Sequence, residues 1–154
     1  MKRIMMILTV AVTFLAVMSC DKYEDGRPSK DVRKEFERMY PDARDVEWEY
    51  QGAYWEVSFE TGSRPDVKEH TAWYDKDANW IQTKTEIFLS EVPQAIKDYL
   101  AASEYGTGQF EDNEAEFYET QSGNFYRFDM RYGGVEMEVD VNENGEVSPA
   151  KYGF

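Results

Sequence analysis

The stretch VEWEYQGAYWEVSF, residues 46–59, decides the fold. Val46, Trp48 and Tyr50 alternate with Glu47 and Glu49. Beyond Gly52, Trp55, Val57 and Phe59 alternate with Tyr54, Glu56 and Ser58. A period of two sends successive side chains to opposite faces of a strand. The glycine-centred gap at 51–53 joins two such runs as a tight hairpin. Residues 46–50 and 53–59 are therefore expected to be neighbouring antiparallel strands.

Before this hairpin, Ser29 or Asp31 caps a helix whose stripe is Val32, Phe36, Met39 and Tyr40, and Pro41 stops it. After it, TGSRPD (61–66) reads as a longer loop leading to a third strand near 69–74. DKDAN (75–79) then turns the chain into a fourth strand at about 80–85. The same order follows from Ser90. Val92, Ile96, Tyr99 and Leu100 make a helical stripe, with Pro93 in the first turn, where proline is tolerated. The polar stretch GTGQFEDNE leads to AEFYET (115–120), FYRFDMRY (125–132), a Gly133-Gly134 turn, VEMEVDV (135–141), an NENG turn and EVSPAKY.

Superimposing the halves sets Gly52 on Gly123, Trp55 on Tyr126, Val57 on Phe128 and Phe59 on Met130. Further on it sets Tyr74 on Val141, Ala78 on Gly145 and Trp80 on Val147. The expected fold is α+β, a tandem repeat (about 29–88 and about 89–154) of one helix plus a four-stranded antiparallel meander. The two units form one curved sheet with both helices on one face and the other face open.

The N-terminus is a different material. MKR precedes an uncharged apolar run at 4–18, shorter than the roughly 20 residues a membrane span needs. Residues 1–19 read as a secretory signal. They end in Val17-Met18-Ser19-Cys20, which resembles a bacterial lipobox. That resemblance makes Cys20, the only cysteine, the lipid-attachment residue; the alternative is an ordinary signal with an incidental cysteine. Residues 20–28 read as a flexible tether. Its acidic start is similar to export signals of Bacteroidetes surface lipoproteins. The protein is expected in the cell envelope, on the outer membrane, with the periplasmic and surface orientations both open.

The chain carries 31 acidic against 17 basic residues, a net −14. Loss of Lys2 and Arg3 with the signal leaves 15 basic residues and −16. Such a charge repels nucleic acid and anionic membrane surfaces, so membrane contact is expected only through the lipid. Hydrophobic residues at 42% and aromatics at 16% suffice for a core.

Two motifs carry a family resemblance over about 29–154. One is the helix exit YP-A--V-W (Tyr40, Pro41, Ala43, Val46, Trp48), the other the hairpin YD-D--W--T (Tyr74, Asp75, Asp77, Trp80, Thr83). With the export signal, they resemble the PepSY-like lipoproteins, whose fold is that of the β-lactamase inhibitor protein (BLIP). The second half lacks both the YP exit and the hairpin tryptophan. The resemblance implies a non-enzymatic protein that grips a protein or peptide with its open sheet face, as a peptidase inhibitor or regulator.

Period-2 geometry places Tyr54, Glu56, Ser58, Trp73, Phe125, Arg127, Asp129, Glu136 and Glu138 on that face, a mixture of aromatic and charged groups suited to recognition. The second reading is a small-ligand or calcium sensor using the acidic turns. Asp75, Asp77 and Asn79 have the spacing of a calcium loop, and Glu86 falls at its twelfth position. Trp80, however, occupies the sixth position, where glycine is required. The sibling set Asp140, Asn142, Asn144 and Gly145 has the glycine but Lys151 at the twelfth position. A hairpin turn made twice explains both. Catalysis finds little support: His70 is the only histidine, placed at a strand edge, and there is no G-x-S-x-G elbow. No cofactor is expected.

Overall fold

The computed structural model describes residues 22–23 and 26–151. The signal segment, Cys20 and the last three residues lie outside them. The elements are β1 (Lys22–Tyr23), α1 (Lys30–Met39), β2 (Arg44–Tyr50), β3 (Tyr54–Ser63), β4 (Asp66–Asp75), β5 (Trp80–Phe88), α2 (Gln94–Ala102), β6 (Gln109–Phe110), β7 (Glu114–Thr120), β8 (Phe125–Tyr132), β9 (Val135–Asn142) and β10 (Val147–Pro149). Together they make an α+β fold around a single sheet. Its strands run β1-β2-β3-β4-β5-β7-β8-β9-β10, with β6 paired to β8 beyond the end of β7. All pairings are antiparallel except β1 with β2. The order helix-then-meander thus occurs twice along the chain.

Each helix is fixed by one buried stripe, and α1 also by a side-chain cap at its N-terminus. Ser29, not Asp31, caps α1: its Oγ accepts the Val32 amide at 3.3 Å. Val32 and Phe36 are buried against Trp48, Val57, Phe59, Ala72 and Tyr74. Val92, just before α2, and Ile96 and Leu100 within it pack on Ala115, Phe128, Met130, Val139 and Val141. Tyr99 departs from the expected stripe: it is 40% exposed and lies over Gly145.

Register places both helices on the same side. Val57 pairs with Ala72 and Ala72 with Thr83; Thr85 pairs with Phe117, Phe117 with Tyr126 and Tyr126 with Val141. Members of one cross-strand row share a face, so the two apolar clusters lie side by side under their own helices.

Between the clusters sits a polar link that explains the two motifs. Tyr40 Oη and Trp80 Nε1 both hydrogen-bond Thr83 Oγ1, the indole at 2.8 Å, and Thr83 is fully buried. The helix exit and the hairpin are therefore joined through one hydroxyl. Thr83→Val keeps the shape and strands both partners, so it is expected to cost about 1–3 kcal/mol. Adding Tyr40→Phe is expected to recover part of that loss in urea unfolding, since it removes one stranded hydroxyl.

Three elements differ from the sequence-based expectation. TGSRPD is not a long loop: β3 runs on to Ser63 and β4 starts at Asp66, leaving only Arg64 and Pro65 between them. Gly62 is required there, at φ +78°, because a Cβ would stand only 2.3 Å from the Asp66 carbonyl oxygen. Within the segment read as a flexible tether, Lys22 and Tyr23 pair in parallel with Glu47 and Trp48, and Pro28 is buried. Within GTGQFEDNE, Gln109 and Phe110 pair with Arg131 and Met130.

The turns DKDAN and NENGE have the same construction. The Asp75 amide bonds Asn79 O at 2.9 Å, and that of Asn142 bonds Glu146 O at 3.0 Å. Asp75 Oδ1 accepts the amides of Asp77 and Asn79, as Asn142 Oδ1 accepts those of Asn144 and Glu146. Ala78 (φ +69°) and Gly145 (φ +86°) take the left-handed position in each.

Candidate protein-binding face

Because Trp55, Val57 and Phe59 turn toward α1, the alternate residues Tyr54, Glu56 and Ser58 turn to the face that no helix covers. The other expected members, Trp73, Phe125, Arg127, Asp129, Glu136 and Glu138, lie on that same face by register. They are not equally accessible. Ser58, Asp129 and Glu136 are exposed, while Tyr54, Glu56, Phe125, Arg127 and Glu138 are half-buried. Trp73 corrects the expectation of an exposed anchor: it is 8% exposed, and its Nε1–H donates to Glu56 Oε2 at 2.9 Å. A large ring in mid-sheet is flanked by strands on both sides, and its neighbours close over it.

Phe125 and Arg127 belong to one assembly with residues the sequence reading passed over. Phe125 stacks on Tyr118 at 4.6 Å and 6° between planes. The Arg127 guanidinium lies 4.9 Å from the Tyr118 ring centre and 5.7 Å from that of Phe125. It grips Asp140 through two bonds of 2.8 and 3.0 Å and reaches Glu138 at 3.5 Å. Burial opposes the charge on Arg127, but the hydrogen bond and charge of Asp140 outweigh it, and the guanidinium is held more firmly protonated. Burial, then Glu116, pushes the Tyr118 hydroxyl well above the usual phenol range. That hydroxyl donates to Glu116 Oε2 at 2.9 Å, and Lys84 holds Glu116 Oε1 at 2.9 Å.

Carboxylates dominate the rest of the face. Four pairs stand directly opposite each other across strands: Glu49 and Glu56, Glu60 and Glu69, Glu86 and Glu116, Asp129 and Glu138. Like charges so placed repel. Burial, followed by the charges of Glu116 and Asp112, raises the Asp129 carboxyl above its usual value; burial raises Glu138, with Arg127 pulling it back.

The other candidates resolve differently. The Asp75 carboxylate is committed to its own turn, since Oδ1 takes two amides and Oδ2 takes Asn79 Nδ2 at 2.7 Å. That hydrogen bond from Asn79 lowers its pKa. Among the described residues, no three His, Cys, Asp or Glu side chains are placed to hold a metal ion. His70 is not an edge residue. It lies within β4 on the helix-covered face, stacked on Phe59 at 4.9 Å. Its Nε2 meets Thr61 Oγ1 at 2.7 Å and its Nδ1 meets Thr85 Oγ1 at 2.9 Å.

Burial, then the charge of Lys68, lowers the His70 pKa below 6.5. Protons therefore bind the unfolded chain first. The stability this group contributes is present above pH 6.5 and is lost as pH falls through the folded value. Relative to wild type, His70→Gln is expected to flatten urea stability measured across that acid window.

No known family profile matches this chain, and no curated protein matches it. Solved structures do share its fold. A BLIP-like protein from Bacteroides fragilis NCTC 9343 is 21% identical, with a TM-score of 0.69 over 84% of this chain and 91% of that one. A DUF2874 family protein from Bacteroides uniformis ATCC 8492 is 21% identical, with a TM-score of 0.66 over 83% and 94%. Another, from Bacteroides ovatus ATCC 8483, is 15% identical, with a TM-score of 0.67 over 80% and 89%.

Proposed function

We propose that this chain is a non-enzymatic, lipid-anchored envelope protein that binds a cationic protein or peptide on its uncovered sheet face. The observation that carries this reading is the set of four opposed carboxylate pairs. Lys84 already bridges Glu86 and Glu116, and Arg127 reaches Glu138. Among the described residues, Glu49 with Glu56 and Glu60 with Glu69 have no such cation. These two pairs cost the free fold stability, and a partner's lysines or arginines would relieve that cost on docking. The aromatic–arginine stack of Tyr118, Phe125 and Arg127 adds a rigid contact of the kind enriched at interfaces.

Export and anchoring rest on the N-terminal signal and on Cys20. The PepSY-like motifs and the shared BLIP-like fold support restraint of a peptidase as the form the binding takes. The matched DKDAN and NENGE turns support an internal duplication as the origin of the two units.

A photoreactive residue at Ser58, on the open face, tests the reading in cells against one at Lys34, on the exposed side of α1. A discrete protein adduct formed from position 58 and absent from position 34 is expected. The same adducts from both positions would remove the face as the binding surface.

A further inference from the structure

At one end of the open face the charge pattern meets an apolar spot. Strand β5 ends in Phe88, which pairs with Glu114 and is 54% exposed. Beside it on β4 lies Val67. A groove of about 450 Å³ runs between them, lined on the apolar side by Pro65, Val67 and Phe88 and on the acidic side by Glu69, Glu86 and Glu114. Glu86 and Glu114 also line an adjoining pocket of about 190 Å³, which Asp129 and Glu116 help to close. The cations nearby are committed: Lys84 to Glu116 at 2.9 Å and Glu86 at 3.6 Å, Lys68, on the groove wall, to Glu91, and Arg127, on the wall of the adjoining pocket, to Asp140. Among the described residues, Glu69, Glu114 and Asp129 make no ion pair.

We propose that this groove receives an extended segment of a partner polypeptide in which a lysine or arginine stands next to a large apolar residue. The cationic head enters the pocket between Glu114 and Asp129, and the apolar side chain covers Phe88 and Val67. This rests on the proposed function and names the chemistry of the partner. A small metal ion demands ligands that converge within about 2.6 Å, which these carboxylates do not provide. An ammonium or guanidinium on a long stem tolerates a wider ring of carboxylates, and its methylenes lie along apolar surface.

The probe is acetyl-Gly-Lys-Phe-Gly amide, titrated into the full chain to about 10 mM and followed by amide shifts in NMR, the range suited to millimolar affinity. Shifts centred on residues 67, 86, 88 and 114 are expected. Exchanging the peptide's lysine for glutamate, or its phenylalanine for glycine, is expected to weaken binding about tenfold or more. Phe88→Ser and Glu114→Gln, both at exposed positions, are expected to weaken it similarly while leaving the remaining spectrum in place. Equal binding of the lysine and glutamate peptides overturns the proposal. Shifts confined to other parts of the open face overturn the groove but leave the face as a binding surface. No shift at all overturns the groove, and the cross-linking at Ser58 then decides the face by itself.

Discussion

Phe36→Ala is expected to cost the fold about 3–5 kcal/mol, the range for emptying a well-packed aromatic site. The ring is the hub of the first cluster. It stands 5.0 Å from Phe59 and 5.3 Å from Trp48, both edge-on, and 5.5 Å from Tyr40. At 4% exposure it leaves a cavity that α1 cannot close, because Val32 beside it is already fully buried. The measurement is a urea titration read twice, by tryptophan fluorescence and by far-UV circular dichroism. All four tryptophans (Trp48, Trp55, Trp73 and Trp80) lie in the first unit, so fluorescence reports that unit alone. Strands β5 and β7 pair over seven positions. The two probes are therefore expected to move together to a lower midpoint with an unchanged slope. Separated transitions would show that the two clusters unfold independently.

Arg127→Leu is expected to cost about 2–4 kcal/mol at neutral pH, toward the lower part of the range for breaking a buried ion pair, since the site keeps some contact with water. The arginine side chain is 16% exposed and that of Asp140 20%. Removing the guanidinium leaves Asp140, Glu138 and Asp129 close together without their counter-charge. Leucine fills the space but answers none of them. The deficit is expected to shrink on acidification, because Glu138 and Asp129, both raised, take up protons early in the folded variant. Paired melts of wild type and variant from neutral to acid pH check this. A deficit that is independent of pH would mean the loss is one of packing on Tyr118 and Phe125 alone.

The strands that could be read in advance were those with an apolar face set against an acidic one. In β2, β3, β8 and β9 the solvent side is largely Glu, Asp or Arg, so the period of two stands out and the face assignment follows. Strand β5 hides its phase, because Thr83 and Thr85 are its buried residues and both are polar. Thr83 is buried for the hydrogen bonds of Tyr40, which lies far away in sequence, and of Trp80 at the start of the same strand. Strand β7 hides its phase differently. Phe117 and Tyr118 are adjacent aromatics on opposite faces, so the half of the stack facing Phe125 was missed. Strands β1 and β6, at two residues each, are too short to have a period. The end of the β3–β4 hairpin projects past the core with exposed residues on both faces, and such a stretch reads as loop. Trp73 illustrates the remaining limit: period gives the face of a side chain, not how deeply its neighbours bury it.

The parallel pairing of Lys22 and Tyr23 with β2 bears on how the molecule would stand at a bilayer. Cys20 precedes Lys22 by two residues, a reach of about 7 Å at full extension. With a lipid on Cys20, the β2 margin would ride directly on the headgroups, without a leash. From β1, eight inter-strand steps of about 4.8 Å then carry β10 up to roughly 40 Å away. The sheet would rise from the membrane like a fin, and its acidic side would sweep the space alongside rather than point up or down. Molecules moving parallel to the bilayer, or held in it with a basic flank at that height, would meet the carboxylates side-on.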